Sequence, residues 1–377
     1  MIFGIPREMR EHELRVGALP FLVKEIVKRG HEVYVETGAG EHCEASDSQY
    51  EQVGATIVPS PEKLYSLSEI ILKVREPKPV EYDLIRPDQA IFCFFHFLGN
   101  AERIKAIASR GCTCLAYESV RTEQNEYPLL LPLSRLCGQL AILNAAYLLQ
   151  KQNQGRGIVL GTVTGAPPAR TTILGAGNVG KQAALTAAHL GADVVVLDID
   201  YRKLVEIDAM GYPNITTLIS TDDALKTLLP ETDLLVTGVH IPNQPTPKLI
   251  SPEMVKTMRT GSVIMEVDID LGGSVETGKV TNHDNPTFVL DGVVHYCVSN
   301  ITSGVPMVAS QALSAALLPY IIKICEQGFE SAILSDKSLY EGTVIYKGHI
   351  VNPYLAKAAK LPLANLEKKI QELTPDD

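Results

Sequence analysis

Short apolar runs alternate with stretches whose apolar residues recur every three or four positions along nearly the whole chain. That alternation marks βαβ units built on a parallel sheet, and so an α/β protein. In the first third, strands are predicted over residues 1–5, 32–36, 57–58, 70–74, 90–95 and 113–116. Helices are predicted over 19–29 and 101–110, and Gly38-Ala39-Gly40 is a turn. A Leu- and Ala-rich helical pattern runs from 131 to about 150, and a second doubly wound unit follows it. Its predicted strands are 171–174, 193–197, 233–237, 262–266 and 288–290, with a helix over 178–190 closed by Gly191. Helix returns from about 308 to 326, and 343–350 reads as a hairpin. Two long helices therefore bracket the second unit, which predicts that it is inserted into the first. The expected domains are 1–128 plus 306–377, and 129–305.

The chain has 377 residues, which suits two cores of medium size. The net charge of −10 is spread along the chain, with no basic stripe to suit nucleic acid or an anionic membrane surface. The longest apolar region, 305–325, is interrupted by Pro306, Ser310, Gln311, Ser314, Pro319 and Lys323, so it reads as a buried helix rather than a membrane span. The opening MIFGIPRE goes straight into a strand without a basic and apolar leader. Seven cysteines lack paired CxxC spacing, the pattern of reduced thiols in a cytoplasmic protein, and they do not point to zinc. Cys112 and Cys114, two apart in a strand, fall on one face.

The segment ARTTILGAGNVGKQAALTAAHLGADVVVLDID holds Gly175, Gly177 and Gly180 as G-x-G-x-x-G. A strand pattern precedes it, a helix starts on it, and the next strand ends in Asp198. This is the context a dinucleotide fingerprint requires. Gly175 permits the tight turn, Gly177 lets backbone approach a pyrophosphate, and Gly180 lets helix and strand pack closely. The helix N-terminus offers N–H groups to phosphate. Asp198 is suited to accept from the adenosine ribose hydroxyls and to repel a 2′-phosphate, which favours NAD over NADP. The fold class is thus α/β, with two doubly wound Rossmann-like domains, the second carrying NAD.

In the first domain, Arg15 lies in a polar loop after the first strand, Arg75 ends the strand IILKVR, and His96 ends IFCFFH. Ligands gather at the carboxyl ends of strands in open α/β sheets. Arginines hold a carboxylate bidentately, and histidine exchanges a proton near neutral pH. Together these residues make a candidate anion-binding and proton-transfer cluster.

The segments GIPREMREHELRVGALP, GHEVYVETGAGE, EIILKVREP, RGIVLGTVTGAPPARTTILGAGNVG, KLISPEMVKTMRTGSVIMEVDIDLGGSVET and LDGVVHYCVSN resemble the alanine dehydrogenase and transhydrogenase α-subunit family, in order and spacing from residue 1 to about 360. HYCVSN and His96 point to the dehydrogenases within it. The resemblance implies a discontinuous substrate domain, an inserted NAD domain and a homo-hexamer. It implies NAD-dependent, reversible oxidative deamination of L-alanine to pyruvate and ammonia. It further implies that Arg15 and Arg75 bind the substrate carboxylate and that His96 and Asp270 are catalytic. Ser134, Asn178, Val179, Asp198, Lys203 and Ser220 are implied to line the cofactor, with Val239, Val298 and Asn300 at its nicotinamide end.

The chain also departs from the family. The family's KVKEP is Lys73-Val74-Arg75-Glu76-Pro77 here, so the second lysine is an arginine. Arginine holds a carboxylate but, with a pKa above ~12, takes no part in proton transfer. Phe94, Phe95, Phe97 and Gly99 surround His96, His240 precedes the loop IPNQPTP, and Met307 stands where arginine is frequent. These changes bear on the substrate side chain. They leave open a sister dehydrogenase or imine reductase acting on another amino acid or 2-oxo acid, or a transhydrogenase-type NAD-binding subunit.

Overall fold

Strands of two to six residues, most of them buried on both faces, assemble into two sheets covered by helices. This computed structural model describes residues 1–97, 99–241 and 246–373. In chain order the first strands are β1 (Ile2–Ile5), β2 (Glu32–Glu36), β3 (Thr56–Val58), β4 (Ile70–Arg75), β5 (Ala90–Phe94) and β6 (Thr113–Ala116). Next come β7 (Arg170–Leu174), β8 (Asp193–Asp198), β9 (Ile215–Ile219), β10 (Leu234–Thr237), β11 (Val263–Glu266), β12 (Thr287–Leu290) and β13 (Val293–Tyr296). The last are β14 (Thr343–Tyr346) and β15 (His349–Ile350).

The chain divides into two units, Met1–Leu133 with the described part of Ser303–Asp377, and Ser134–Thr302. The first holds an eight-stranded sheet in the order β15-β14-β6-β5-β4-β1-β2-β3. Its first six strands in sequence are parallel, and the β14–β15 hairpin adds antiparallel to β6. The second holds a seven-stranded sheet in the order β12-β13-β11-β10-β7-β8-β9, parallel except for β12. Each sheet has one place where the winding reverses: between β1 and β4 in the first, and between β7 and β10 in the second. Loops leave such a point in opposite directions and open a crevice at the strand carboxyl ends.

The predicted strands form within a residue or two of their expected bounds. Two were missed: β9, whose side chains are largely exposed, and β13, which pairs with β12 through an Asp291-Gly292 turn. The helix Pro306–Gln327 is long and apolar enough, by length and composition, to cross a membrane. It buries only one face, including Ala309, Leu313, Leu317, Ile321 and Ile324, against the first unit, while Met307 and Val308 are exposed. Cys112 and Cys114 do share a face, their Sγ atoms 3.9 Å apart in the core.

Candidate active site

In the first unit the loop after β1 lies against β4. A side chain at Gly17 would meet the Leu72 carbonyl oxygen at 2.2 Å, so only glycine allows this approach. From the other side, Ser310 and Ser314 of the helix Pro306–Gln327 accept the Val16 and Leu19 N–H groups at 3.0 and 3.1 Å. These serines interrupt the apolar pattern because they satisfy buried backbone. The loop so held buries Arg15, whose Nε and Nη2 donate to both oxygens of Glu13 at 2.7 and 2.6 Å. With Arg7, Glu8, Arg10, His12 and the Gly38-Ala39 turn, Arg15 lines a cavity of about 190 Å³.

Arg75 ends β4 just past a register shift: Leu72 faces Phe92, but Arg75 faces Phe94, so β4 carries one extra residue. A bulge of this kind re-aims the side chain that follows it. The Arg75 guanidinium donates from Nη1 to His96 Nε2 at 2.9 Å, and its Nε lies 3.2 Å from Glu76 Oε2. A guanidinium cannot accept, so Nε2 is the unprotonated nitrogen and the neutral ring carries its proton on Nδ1.

His96 does not end the strand as expected. The strand stops at Phe94, and His96 sits beyond it with φ +46°, a left-handed conformation that costs a non-glycine residue energy. Two groups hold it there. Glu118 accepts the His96 and Phe95 N–H groups at 2.7 and 3.2 Å, and Arg103 donates to the Phe95 and His96 carbonyls at 3.1 and 3.2 Å. Arg103 also pairs with Glu76 at 3.4 Å, which closes a ring from His96 through Arg103, Glu76 and Arg75 back to the imidazole. Burial, and then Arg75, Arg10, Arg103 and Arg15, push the His96 pKa well below the usual imidazole value. Burial raises Glu118 to about 7 against the opposing pull of its N–H donors and Arg75.

The phenylalanines divide. Phe95 and Phe97 stack 4.6 Å apart in the core, whereas Phe94 packs on Tyr117 and against the His96 ring. The first two therefore shape the core rather than the site. Of the IPNQPTP loop, residues 242–245 lie outside the described residues; His240 before it is exposed.

In the second unit the fingerprint glycines occupy the reversal point. Gly175 has φ +102°, and a Cβ there would meet the Gly238 carbonyl oxygen at 2.8 Å, where the turn after β10 comes close. A Cβ at Gly180 would fall 1.7 Å from the Gly175 oxygen, so helix and turn pack backbone to backbone. At Gly177 a Cβ would point into open space, and no side chain caps the helix Asn178–His189 that Gly177 begins. Its first N–H groups, which include Asn178 and Val179, are thus left for an anion. Gly138, four residues after Ser134 on the helix Leu131–Leu148, comes within a Cβ's reach of the Val179 oxygen.

Asp198 is nearly buried at the end of β8 and accepts the Ala176 and Asp200 N–H groups at 2.7 and 2.8 Å. Lys203 Nζ lies 3.8 Å from its carboxylate, and the Ser220 N–H donates to its backbone oxygen at 3.0 Å. Donors at the turn, an open Gly177 and an anchored carboxylate together fit a nucleotide with a pyrophosphate and a ribose diol. Asp270 accepts from the Ser299 hydroxyl and, at 3.2 Å, from the N–H of Asn300, which is itself left-handed at φ +64°. Val298 is buried just before them. Asp268, which sequence reasoning passed over, accepts from Thr237 Oγ1, the Val239 N–H and Ser274, and so anchors the turn after β10.

Family models for the alanine dehydrogenase/PNT N-terminal and C-terminal domains match residues 4–137 and 141–353. The chain belongs to the alanine dehydrogenase/PNT family. It is 38% identical to an alanine dehydrogenase of Methanococcus maripaludis, over 99% of this chain and all of that protein. Its fold matches a solved L-alanine dehydrogenase at a TM-score of 0.89 and 38% identity, covering 95% of this chain and 98% of that one. A transhydrogenase from Sinorhizobium meliloti matches at a TM-score of 0.78 and 25% identity, over 94% of this chain and 99% of the other. The family resemblance read from the motifs therefore holds across the whole length.

Structure brings Arg75 together with His96, Lys203 and Ser220 together with Asp198, and Asn300 together with Asp270. Sequence reasoning missed Glu8, Glu76, Arg103 and Glu118, which hold the first group. Three of them carried a signal, because charged residues just beyond apolar strands stand where site residues cluster.

Proposed function

We propose that this protein is an NAD-dependent alanine dehydrogenase, catalysing the reversible oxidative deamination of L-alanine to pyruvate and ammonia. The observation that carries the proposal is the Arg75–His96 pair, in the same unit as Arg15, in a chain matched along its length by alanine dehydrogenases. When bound, NAD supplies the hydride acceptor. Asp198, with Lys203 and Ser220 beside it, holds the adenosine ribose. The Gly175–Gly180 turn, with Asn178 and Val179, receives the pyrophosphate, and Ser134 lines the cofactor. Val239, Val298 and Asn300 contact the nicotinamide end.

Arg15 and Arg75 bind the substrate carboxylate as paired guanidinium donors and so orient Cα. His96 takes the proton of the reacting amino or hydroxyl group at Nε2 once the Arg75 guanidinium turns from that nitrogen to the substrate carboxylate. Held neutral by its surroundings, the ring returns that proton readily, which suits the aminating direction. Asp270 supplies negative charge against a cationic imine, its carboxylate fixed by Ser299 and Asn300. The protein works in the cytoplasm as a homo-hexamer.

Arg75 favours a second reading, a sister enzyme for another amino acid or 2-oxo acid, since it replaces a lysine able to exchange protons with a permanent cation. A transhydrogenase-type subunit is disfavoured by His96, because hydride relay needs no substrate acid–base group. The test is NADH oxidation by the pure protein across a panel of 2-oxo acids, each with and without ammonium. Ammonium-dependent turnover highest with pyruvate supports the proposal. Turnover confined to bulkier acids selects the sister enzyme, and none with tight NADH binding selects the subunit.

A further inference from the structure

Glu8 lies outside the residues assigned to cofactor or substrate, yet it is built into the strand end that presents Arg75. Its side chain is only 2% exposed. One oxygen, Oε1, accepts the Val74 N–H at 2.7 Å and faces the Arg75 N–H at 3.4 Å. The other lies 3.4 Å from the ammonium of Lys73, itself fully buried. Lys73 also donates to Glu81 Oε1 at 2.9 Å, and Tyr65 donates to the same oxygen at 3.2 Å.

The β4 bulge explains why a side-chain acceptor is needed here. β1 pairs with β4 only as far as Ile71, and the register with β5 slips between Leu72 and Arg75, so the Val74 and Arg75 N–H groups turn to a side chain. Buried backbone donors must find another acceptor. Glu8 provides it, and Lys73, on the same bulge, offsets the charge that this acceptor brings into the core. Glu8 also lines the cavity that Arg15 lines, so it fixes the strand end from the substrate side.

We propose that Glu8 is a positioning residue: by accepting the bulged Val74 and Arg75 N–H groups it sets the Arg75 guanidinium against His96 and toward the substrate carboxylate. The proposal rests on the reading of Arg75 as a carboxylate-binding group. It separates a bonding role for Glu8 from simple neutralisation of Lys73, since both oxygens have distinct partners. Burial raises the Glu8 carboxyl to about 7 against the pull of Lys73, so a neutral side chain that still accepts is close to a state the site already tolerates.

Two substitutions divide the roles. Glu8→Gln loses the charge but keeps an oxygen for the Val74 N–H, and Lys73 retains Glu81. Glu8→Asp keeps the charge but draws the carboxylate back by about 1.5 Å, out of reach of that N–H. The expected result is a KM for pyruvate within threefold of wild type in Glu8→Gln and raised about tenfold in Glu8→Asp, equivalent to about 1.4 kcal/mol. The KM for NADH stays constant, and kcat falls less than threefold in both. The reverse order, with Glu8→Asp normal and Glu8→Gln impaired, overturns the proposal in favour of charge neutralisation. Parallel losses of kcat, NADH affinity and Tm overturn it in favour of a merely structural role.

Amide hydrogen exchange keeps the two readings apart. If wild type does not turn over pyruvate, the functional reading fails, and Glu8 is judged by whether Val74 exchanges about tenfold faster in Glu8→Asp than in Glu8→Gln. Equal exchange overturns it. Should Glu8→Asp not fold, the wild-type Val74 amide decides: protection supports the bond, and exchange at an unprotected rate overturns it.

Discussion

Removing the charge at position 75 tests the site most sharply. Arg75→Met keeps a similar length of apolar chain but deletes the guanidinium, which lies 2.9 Å from His96 Nε2 and 3.2 Å from Glu76 and is 7% exposed. Glu76 keeps Arg103 at 3.4 Å and Arg10 at 3.8 Å, so its own charge stays paired and the fold survives. A hydrogen bond to a charged partner is worth ~1.5–3 kcal/mol, so losing one to the substrate carboxylate lowers kcat/KM for pyruvate about 10- to 150-fold. A second effect follows from the same deletion. After burial, Arg75 is the foremost cause holding the His96 pKa down, so its removal moves that pKa up toward the ordinary value. The limb of the kcat/KM profile that His96 sets then shifts to higher pH. The assay is initial-rate NADH oxidation with pyruvate at saturating ammonium, from about pH 6 to pH 9, bracketing the imidazole range. Arg75→Lys, which keeps the cation as a single point, should retain most of the activity. An Arg75→Met variant with normal Tm, kcat/KM within twofold of wild type and an unmoved pH profile removes Arg75 from the substrate site.

Three further outcomes are expected. Asp198→Asn removes the carboxylate that faces the ribose site and lowers the NADH-over-NADPH preference in kcat/KM by about tenfold or more, one charge-assisted contact by scale; an unchanged ratio removes Asp198 from the cofactor site. Gly17→Ala drives a methyl into the Leu72 backbone and costs about 1–3 kcal/mol, seen as a lower urea midpoint with a raised pyruvate KM. Normal values for both would show that the loop carrying Arg15 is not held by this contact. His96 stays neutral in the fold, while the unfolded chain protonates it below about pH 6.5. Its contribution is therefore complete above that pH and lost as pH falls. Denaturant unfolding should show wild type losing stability relative to His96→Gln between about pH 7.5 and pH 5.5, and a constant difference contradicts the assignment.

Much of this was legible in the sequence because it depends on local pattern. The fingerprint works through backbone, so Gly175, Gly177 and Gly180 announce themselves, and Asp198 follows at the end of the next strand. The Asp291-Gly292 pair was an equally plain hairpin signal, with both residues at positive φ, but only one of its strands was assigned. Strand β9 was obscure for the opposite reason, since its exposed side chains give neither an apolar run nor a firm alternation.

The supports of the site were harder to see. Glu8, Glu76 and Glu118 sit among other charged residues and read as solvated until the fold buries them against specific donors. The bulge that orients Arg75 is a mismatch between two strands, invisible from either alone. The Phe94–Phe97 run suggested a substrate wall, yet alternation sends Phe95 and Phe97 into the core and leaves Phe94 beside His96.

On the proposed function, this chain forms alanine from pyruvate and ammonia at the expense of NADH. Incubating the pure protein with pyruvate, ¹⁵N-ammonium and NADH, and following products by NMR, tests it directly. The expected result is ¹⁵N-alanine accumulating in step with NADH loss. NADH consumed without ¹⁵N-alanine, or NADH bound and not consumed, would contradict it.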